Sequence, residues 1–454
     1  MKGYASTLST TRSIAILETL AVQCCIAGGG PAGVMLGYLL ARAGVRTVVM
    51  EKHADFLRDF RGDTVHPSTM QIMKELGLLE EFLERPHSKI RSFEADIGHQ
   101  SFKVADFANV PIDCRFIALM PQWDFLDFLT EKSRRFPSLS ILMSTEVESL
   151  FEANGRVVGV HATGPSGPLT IKANLVVGCD GRSSTVRRLA GLAVHDLGSP
   201  IDVLWFRLSK QQGDPEHVLG HLGANKMVVT IDRTDYWQCA FVIAKGSVDQ
   251  IHRAGIEAFR NEIADGAPFL GNRTEELESF QDIKLLSVSV DRLTTWSKPG
   301  LLCIGDAAHA MSPVGGVGIN LAIQDAVATA NLLARKLRES TCRDEDLDTV
   351  RQRRLWPVKV VQWAQVAVHN RVLQPAVSGR RTAVPVPWPV KLLDRHAWLR
   401  RWPAQAIGVG VRPEHVHSPI AADDAGASNH SSTCVDRHRP PSPRGPTPPQ
   451  KNRQ

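Results

Sequence analysis

The feature that most constrains this chain is the glycine run GGGPAG at residues 28–33. An apolar stretch, residues 22–27, precedes it, and a helix-forming stretch, residues 34–43, follows. Gly28, Gly30 and Gly33 have the GxGxxG spacing of a strand–turn–helix unit, in which they permit a tight turn, approach to a pyrophosphate and close helix–strand packing. The helix N-terminus then offers N–H groups and its positive dipole end to phosphates. The pattern predicts a dinucleotide site.

An acidic residue supports the same interpretation. Glu51 ends the next apolar stretch, about 20 residues beyond the turn, where a carboxylate accepts hydrogen bonds from a ribose diol. Three glycines in six positions can also form an ordinary turn. Here the strand, the helix and the acid all fit a bound nucleotide.

Composition indicates a soluble cytoplasmic enzyme. The chain has 454 residues with 43% hydrophobic content, enough for two or three domains. Its eight cysteines form no CxxC pair, and Cys24, Cys25, Cys179 and Cys303 fall in or beside apolar runs. We therefore expect small buried side chains, with neither disulfides nor a metal site. The formal net charge of +6 is modest and its basic residues are dispersed, so nucleic-acid binding is not implied.

The ends of the chain differ from its middle. No segment approaches the roughly 18 consecutive apolar residues of a membrane span, and residues 1–20 look like a loose extension without a convincing cleavage site. From about residue 421 the sequence is polar and rich in proline, which predicts disorder. Between these ends strand-like and helix-like segments alternate. A β-rich block, with strands at 203–208, 227–231, 237–243 and 285–290, interrupts the α/β pattern before it resumes at Leu301.

Two further motifs narrow the class of nucleotide protein. The run GCDGRSSTVR occupies residues 178–187, and GDAAH occupies residues 305–309, followed by Pro313 and by GGVGIN at residues 315–320. With the first motif, they resemble the group A flavin monooxygenases, the aromatic hydroxylases related to para-hydroxybenzoate hydroxylase and the ubiquinone-biosynthesis hydroxylases. The DGxxSxxR and GDAAH…PxxGxGxN patterns of that family match in order, and the resemblance covers about residues 22–337.

The resemblance implies FAD as the cofactor. An aspartate just past a strand end, flanked by small residues, can reach a sugar-like hydroxyl, so Asp306 is expected to hold the ribityl chain. The loop at 315–318 can approach a flat ring, and the helix from Asn320 directs its positive end at it, which favours reduced flavin. The expected cofactor-binding residues are Gly28, Gly30, Gly33, Glu51, Arg61, Gln122, Asp180, Gly181, Arg187, Gly305, Asp306, Pro313, Gly316, Gly318 and Asn320.

The family also implies a reaction. NAD(P)H reduces FAD, O2 adds at flavin C4a, and the hydroperoxide transfers one oxygen atom to an aromatic or other electron-rich organic molecule. The chain lacks a second GxGxxG, which argues against a reductase with two dinucleotide domains, and it lacks the WxWxIP signature of related halogenases. An FAD-dependent reductase or dehydrogenase, a halogenase and a flavin-binding module without catalysis stay open as alternatives.

The substrate pocket is less legible. Of the three tyrosines, Tyr4 lies in the extension and Tyr38 in the first helix, which leaves Tyr236 as the candidate catalytic tyrosine. Arg207, on a strand of the β-rich block, is the candidate to face the flavin or an acidic substrate. His309 is expected to be structural. No metal-ligand cluster competes with the flavin interpretation.

The expected fold is α/β, with a discontinuous Rossmann-like FAD-binding domain, an inserted β-rich substrate domain and a helical C-terminal region. The segment 390–411 mixes tryptophan, arginine and aliphatic residues; it suits either a membrane surface or helix packing, and we favour packing. The boundaries are 1–20 for the extension, 21–90, 120–195 and 295–340 for the FAD domain, 91–119 and 196–294 for the substrate domain, 341–420 for the helical region and 421–454 for the tail.

Overall fold

The computed structural model describes residues 18–57, 64–97, 100–215, 218–223, 226–233, 235–377 and 386–421, without the side chains of 218 and 219. Arg61, most of the predicted extension and nearly all of the predicted tail lie outside the described residues. The predicted α/β class is confirmed, with a mainly parallel sheet, a second sheet of mainly antiparallel strands and a helical C-terminal region. The division into domains stays a prediction.

The bounds of the described elements are as follows. The strands are β1 (Glu18–Ala27), β2 (Thr47–Met50), β3 (Thr64–Val65), β4 (Ser88–Ile90), β5 (Ser92–Ile97), β6 (Gln100–Asp106), β7 (Ile117–Leu119), β8 (Leu139–Leu142), β9 (Glu146–Ala153), β10 (Arg156–Gly164), β11 (Gly167–Gly178), β12 (Val194–Asp196), β13 (Ile201–Ser209), β14 (Val218–Gly223), β15 (Lys226–Asp232), β16 (Tyr236–Ala244), β17 (Lys284–Leu286), β18 (Asp291–Leu293), β19 (Ser297–Lys298), β20 (Leu301–Cys303) and β21 (His309–Ala310). The α-helices are α1 (Pro31–Arg42), α2 (Pro67–Glu75), α3 (Leu79–Leu83), α4 (Gln122–Ser133), α5 (Thr185–Leu189), α6 (Val248–Ala254), α7 (Ile256–Gly266), α8 (Gly318–Arg338), α9 (Asp344–Val368), α10 (Gln374–Val377), α11 (Trp388–Arg395) and α12 (Arg401–Gly408).

The first sheet carries the glycine run. Its parallel strands lie in the order β20-β11-β1-β2-β8. Strand β1 begins four residues before the predicted Val22 because Glu18 pairs with Leu169, at the start of β11. Helices α1 and α8 pack together over this sheet, and their apolar faces are almost entirely buried.

Helix α8 is the core helix of this unit. The helical segment Val314–Arg338 is long and apolar enough to cross a membrane by composition, but 78% of its most apolar window is buried inside the protein. It contacts α1 on one side and α9 on the other. Its apolarity is therefore explained by packing.

The second sheet has the order β17-β13-β16-β15-β14-β5-β6. Alternate residues along β13 face opposite sides of the sheet. Leu204 and Phe206 pack with the helical layer formed by α7 and the 3-10 segment Pro268–Glu276. Val203 faces the other side, where it packs in a cluster with Val314 and Leu373.

Sequence patterns misjudged two parts of this region. Of the predicted strand 285–290, only residues 285 and 286 are in a strand, as part of β17. The Val288 N–H donates at 3.0 Å to the side-chain carboxylate of Asp202 on β13 and not to a backbone carbonyl. Helices α6 and α7 interrupt the β-rich block and were not predicted. Phe259 and Ile263, one turn apart on α7, are fully buried against the sheet.

The C-terminal helices have one packed side. On α12, Ala404 and Gly408 are buried, and a Cβ at Gly408 would lie 2.9 Å from a ring carbon of Phe107. Trp398 and Trp402, by contrast, are exposed. The segment is thus divided between an inner face that packs and an outer face that does not.

Candidate active site

The carboxyl ends of four neighbouring parallel strands bring the sequence motifs together. The glycine run follows β1, Asp180 follows β11, Asp306 follows β20 and Glu51 follows β2. The Cys179 N–H donates to the Ala27 carbonyl at 2.7 Å, and the Ile304 N–H donates to the Gly178 carbonyl at 3.0 Å. Motifs that are distant in sequence therefore form one edge, the usual location of a ligand in an open α/β sheet.

The glycines of the first motif have two different roles. A Cβ at Gly28, whose φ is +105°, would lie 2.4 Å from the Cys179 carbonyl oxygen, and a Cβ at Gly33 would lie 1.9 Å from the Gly28 carbonyl oxygen. A Cβ at Gly30 would meet nothing within 4 Å, and no side chain caps the N-terminus of α1. The first two are required by the protein's own packing, whereas Gly30 borders open space that fits a pyrophosphate.

Glu51 is held at this loop. Its Oε2 accepts a hydrogen bond from the Gly29 N–H at 3.1 Å, and its Oε1 accepts one from the His53 N–H at 3.1 Å. The His53 ring also contacts Oε1. The carboxylate thus has a fixed position at the end of β2, which is compatible with the predicted ribose contact.

Asp306 lies in a half-exposed position beside a cation. Gly305, with φ +58°, turns the chain after β20, and the Arg182 Nη2 lies 3.6 Å from the Asp306 Oδ2. The Arg182 Nη1 is buried and has no hydrogen-bond partner among the described residues. A buried donor without a partner is costly, so this part of the site fits a ligand with acceptor oxygens such as the ribityl or phosphate groups of FAD.

The side chains of Asp180 and Arg187 fix the conformation of the second motif through hydrogen bonds. Asp180 accepts hydrogen bonds from the Ser184 hydroxyl and, at 3.0 Å, from the Val186 N–H. Arg187 donates to the Arg182 carbonyl at 2.6 Å and to the Asp291 Oδ1 at 3.2 Å. The structure places both residues at the predicted edge, where these contacts fix the loop containing Gly181 and Arg182.

The third motif forms a loop in front of α8 whose conformation requires glycine. Gly315 and Gly316 have φ of +80° and +63°, and a Cβ at Gly316 would lie 2.4 Å from the Thr64 Oγ1. The Thr64 hydroxyl donates to the Gly316 carbonyl at 2.8 Å. Pro313 precedes the loop, Gly318 begins α8, and no side chain caps that helix. The uncapped end fits a ring on which negative charge develops.

Asn320 holds this loop against the segment that follows Arg61. Its Nδ2 donates to the Thr64 carbonyl at 3.1 Å and to the Gly316 carbonyl at 3.3 Å. Its Oδ1 accepts from the His66 N–H at 2.9 Å and from the Thr69 hydroxyl at 2.7 Å. The side chain is buried, so its contribution to a flavin site is to fix the loop's position.

A buried ionic network supports the GDAAH motif and was missed from sequence. Asp325 of α8 accepts from the Gly305 N–H at 3.0 Å and from the Arg354 Nε at 2.8 Å, and its Oδ2 lies 2.6 Å from the His309 Nε2. Burial opposes ionisation, but His309 and Arg354 outweigh it and hold the pKa of Asp325 below its ordinary value. His309 is therefore structural, as predicted. An acid within an apolar helix was the available signal, because such residues are rarely buried without a partner.

A second missed support holds residues 312–314 from α9. Gln365 accepts from the Ser312 N–H at 3.1 Å and donates to the carbonyls of Ser312 and Val314, both at 3.0 Å. The His369 Nε2 lies 2.7 Å from the Ser312 Oγ. His369 begins a π-helical turn, a feature that occurs mainly at functional sites.

The remaining candidates lie on other elements. Gln122 begins α4, three residues after Leu119, which pairs with Thr64. The Arg207 guanidinium carbon lies 5.0 Å from the Tyr236 ring centroid. Both residues lie near the end of the β13–β16 pair that is farther from Ile201. Arg207 is four residues from Val203, or about 13 Å along the strand at 3.3 Å per residue. Their catalytic role stays a prediction.

This fold and this edge define an FAD-binding oxidoreductase, and comparison with known proteins agrees. Residues 21–364 match the family model described as FAD binding domain. A relative from Streptomyces rimosus, 6-methylpretetramide 4-monooxygenase, is 31% identical over 373 residues, or 82% of this chain and 88% of that protein. The chain belongs to this FAD-binding family, among the FAD-dependent aromatic hydroxylases.

Two further proteins are similar to this chain. The 12-dehydrotetracycline 5-monooxygenase/anhydrotetracycline 6-monooxygenase of Streptomyces rimosus subsp. rimosus is 29% identical over 324 residues, which are 66% of this chain but only 60% of that protein. The crystal structure of p-nitrophenol 4-monooxygenase PnpA from Pseudomonas putida DLL-E4 has the same fold, with a TM-score of 0.67, 21% identity and coverage of 86% of this chain and 97% of that chain.

Proposed function

We propose that this enzyme is an NAD(P)H-dependent monooxygenase that inserts one oxygen atom of O2 into an aromatic or other electron-rich organic substrate. The observation that carries the proposal is the convergence of the Gly30 loop, Asp306 and the loop at 312–318 on one edge of the sheet. Bound FAD supplies the hydride acceptance and the oxygen activation that this reaction needs. The protein's residues bind it, orient it and exclude water.

The binding residues divide by chemical role. The uncapped α1 N-terminus beside Gly30 provides N–H donors for the pyrophosphate, and Asp306 provides an acceptor for the ribityl hydroxyls. The uncapped N-terminus of α8 faces the loop that approaches the ring. Asn320 and Gln365 fix the two sides of that loop, so the donors do not have to reorganise when charge develops.

The side of the second sheet that packs against the flavin loop is apolar. Val203, Ala240 and Val242 from the second sheet form a cluster into which Val314 of the flavin loop and Leu373 also pack. A wall of this kind suits a flat, weakly polar ring and keeps water from the reacting atoms. The names of the curated relatives make 6-methylpretetramide and anhydrotetracycline the first compounds to assay.

Positive charge at the second motif supports a nicotinamide cofactor. Arg182 is adjacent to Asp306, and Arg188 is exposed on α5, which follows it. A phosphate of NAD(P)H docking there would need no second dinucleotide domain.

We also propose a cytoplasmic location for this protein. A reducing compartment suits the buried free thiols of Cys24, Cys25 and Cys179. Cell fractionation tests this location.

The deciding experiment is a substrate panel under labelled oxygen. Purified FAD-loaded enzyme is mixed with NADH or NADPH and with phenols, aromatic acids or the two polycyclic compounds, and nicotinamide oxidation and product mass are followed in 18O2. We expect slow oxidation alone, faster oxidation with a substrate, and a product that gains one labelled oxygen. A dehydrogenated or halogenated product without label would instead support the reductase or halogenase alternatives.

A further inference from the structure

The C-terminal segment 388–402 displays large apolar side chains to solvent. Trp388, Trp398 and Trp402 are 75%, 62% and 56% exposed, and Leu392 is 41% exposed. These residues follow one another across α11, the 3-10 turn Ala397–Arg400 and the start of α12. We refer to this group as the tryptophan platform. Several large apolar side chains exposed within one short segment indicate an interaction surface more often than apolar residues scattered singly.

The platform is docked firmly on the protein. The Lys103 N–H of β6 donates to the Asp394 Oδ1 at 3.1 Å, and Arg400 donates to the Leu393 carbonyl at 2.9 Å. Val390 packs with the cluster that contains Phe102. The inner side of α11 is therefore occupied by contacts with the second sheet, and its outer side is held in a fixed orientation.

Cations surround the exposed tryptophans. On α11, Trp388, Lys391, Leu392 and Arg395 have the i, i+3, i+4, i+7 spacing of one helix face, and all four are exposed. The Arg401 guanidinium carbon lies 5.1 Å from a ring centroid of Trp402. The acid within the platform, Asp394, is engaged by β6. Its outer face thus combines tryptophan and basic side chains, the composition of helices that lie in the interface of an anionic membrane.

The positive charge of the platform disfavours two other binding partners. A second copy of the chain would place like-charged faces together, and like charges at close range disfavour association. The sequence 422–454 has five Lys or Arg residues and three Asp or Glu residues, so it is not complementary to a basic face either. We propose that the tryptophan platform binds the surface of membranes that contain anionic phospholipid, with the indole rings at the headgroup level.

The test uses the full chain and vesicles. Binding is measured by co-sedimentation with phosphatidylcholine vesicles, with and without phosphatidylglycerol, and by the blue shift of tryptophan emission. The apolar variant is Trp388→Ala/Trp398→Ala/Trp402→Ala, and its matched control is Trp356→Ala/Trp363→Ala on α9, where the side chains are 54% and 71% exposed. We expect binding to anionic vesicles that added salt weakens, that the platform variant loses and that the control keeps.

A charge variant provides a second, independent measurement. Neutralising Lys391, Arg395 and Arg401 to Gln should lower the vesicle partition coefficient about 100-fold, at roughly fivefold per cation. The control neutralises three exposed cations elsewhere: Lys172, Arg253 and Lys359. An equal loss of vesicle binding in the charge variant and in its control would overturn the proposal. So would the absence of binding to anionic vesicles, or a concentration-dependent dimer in sedimentation velocity that only the tryptophan variant abolishes. No turnover is measured, so these results are separate from the fate of the proposed reaction.

Discussion

Replacing Gly30 by alanine separates the cofactor site from the fold. Its backbone, with φ −76° and ψ −175°, suits any residue, and the added Cβ meets no protein atom within 4 Å. Gly→Ala at a compatible position stabilises a protein by about 0.4–1 kcal/mol through the unfolded chain. Gly30→Ala should therefore leave the FAD-free protein as stable as before, or slightly more stable.

Its effect on FAD should be large. The Cβ occupies the space where the pyrophosphate approaches the helix N-terminus, so at least one charged hydrogen bond is lost, worth about 1.5–3 kcal/mol. That corresponds to roughly a 10- to 150-fold increase in Kd. Flavin fluorescence titration of the deflavinated protein measures this change, and urea unfolding without FAD measures stability.

Two other glycines provide the controls. Gly33→Ala would place a Cβ 1.9 Å from a backbone oxygen, so it should destabilise the FAD-free protein by about 1–3 kcal/mol as helix α1 shifts away from β1. Gly271→Ala meets the Ala264 Cβ at an ordinary 3.5 Å, so it should leave FAD affinity unchanged and, like Gly30→Ala, keep or slightly raise the stability of the FAD-free protein. Unchanged FAD affinity in Gly30→Ala would refute the assignment of Gly30 to the pyrophosphate. If Gly30→Ala were as unstable as Gly33→Ala, the space beside Gly30 would not be open.

Three further predictions follow from the site. Asp306→Ala should weaken FAD binding by about 1–3 kcal/mol, measured by titration; unchanged affinity would remove Asp306 from the site. Asp325→Asn should lower the free energy of unfolding by about 3–5 kcal/mol, because His309 loses its buried carboxylate and Arg354 keeps only the more distant one, Glu414; a loss below 1 kcal/mol in urea would contradict the network. Burial lowers the pKa of His66 to about 4, partly offset by its bond to the Ile407 carbonyl. Since the unfolded chain takes up this proton first, near pH 6.5, the stability from neutral His66 is present above that pH and is lost as the pH falls toward 4, by about 2–3 kcal/mol at pH 4.5. His66→Gln should show a correspondingly smaller difference between pH 7 and pH 4.5, and an identical difference would disprove the assignment.

Local sequence patterns predicted the structure correctly where the backbone conformation itself requires a particular residue type. Gly28 and Gly33 sit where a side chain would collide with the backbone, so the turn could be predicted from those glycines alone. Short, nearly continuous apolar runs placed β13 and β16 correctly, because each face of that sheet is covered. The inserted helices α6 and α7 were missed, since their burial depends on a sheet face that no local window shows.

Support for the site came from contacts that are distant in sequence. Asn320 reaches Thr64 and His66 across about 250 residues of sequence, and Asp325 meets Arg354 only because α8 and α9 pack together. Neither pairing leaves a periodic signal. The contacts of Arg187 with Asp291 and the Arg182 carbonyl could not be predicted from the sequence either, and its contact with the cofactor stays a prediction.

The sequence by itself determined the nucleotide unit, the family and the order of its three motifs, because glycine turns and a carboxylate at fixed spacing are local requirements of the chemistry. Only the tertiary structure decided which polar side chains face ligand space and which fix the loops, because that depends on the packing of strand ends and helices. It also decided that α12 buries Ala404 and Gly408 while Trp388, Trp398 and Trp402 remain in solvent. Composition alone cannot separate two faces of a short helical segment, because the distinction exists only once a neighbouring sheet covers one of them.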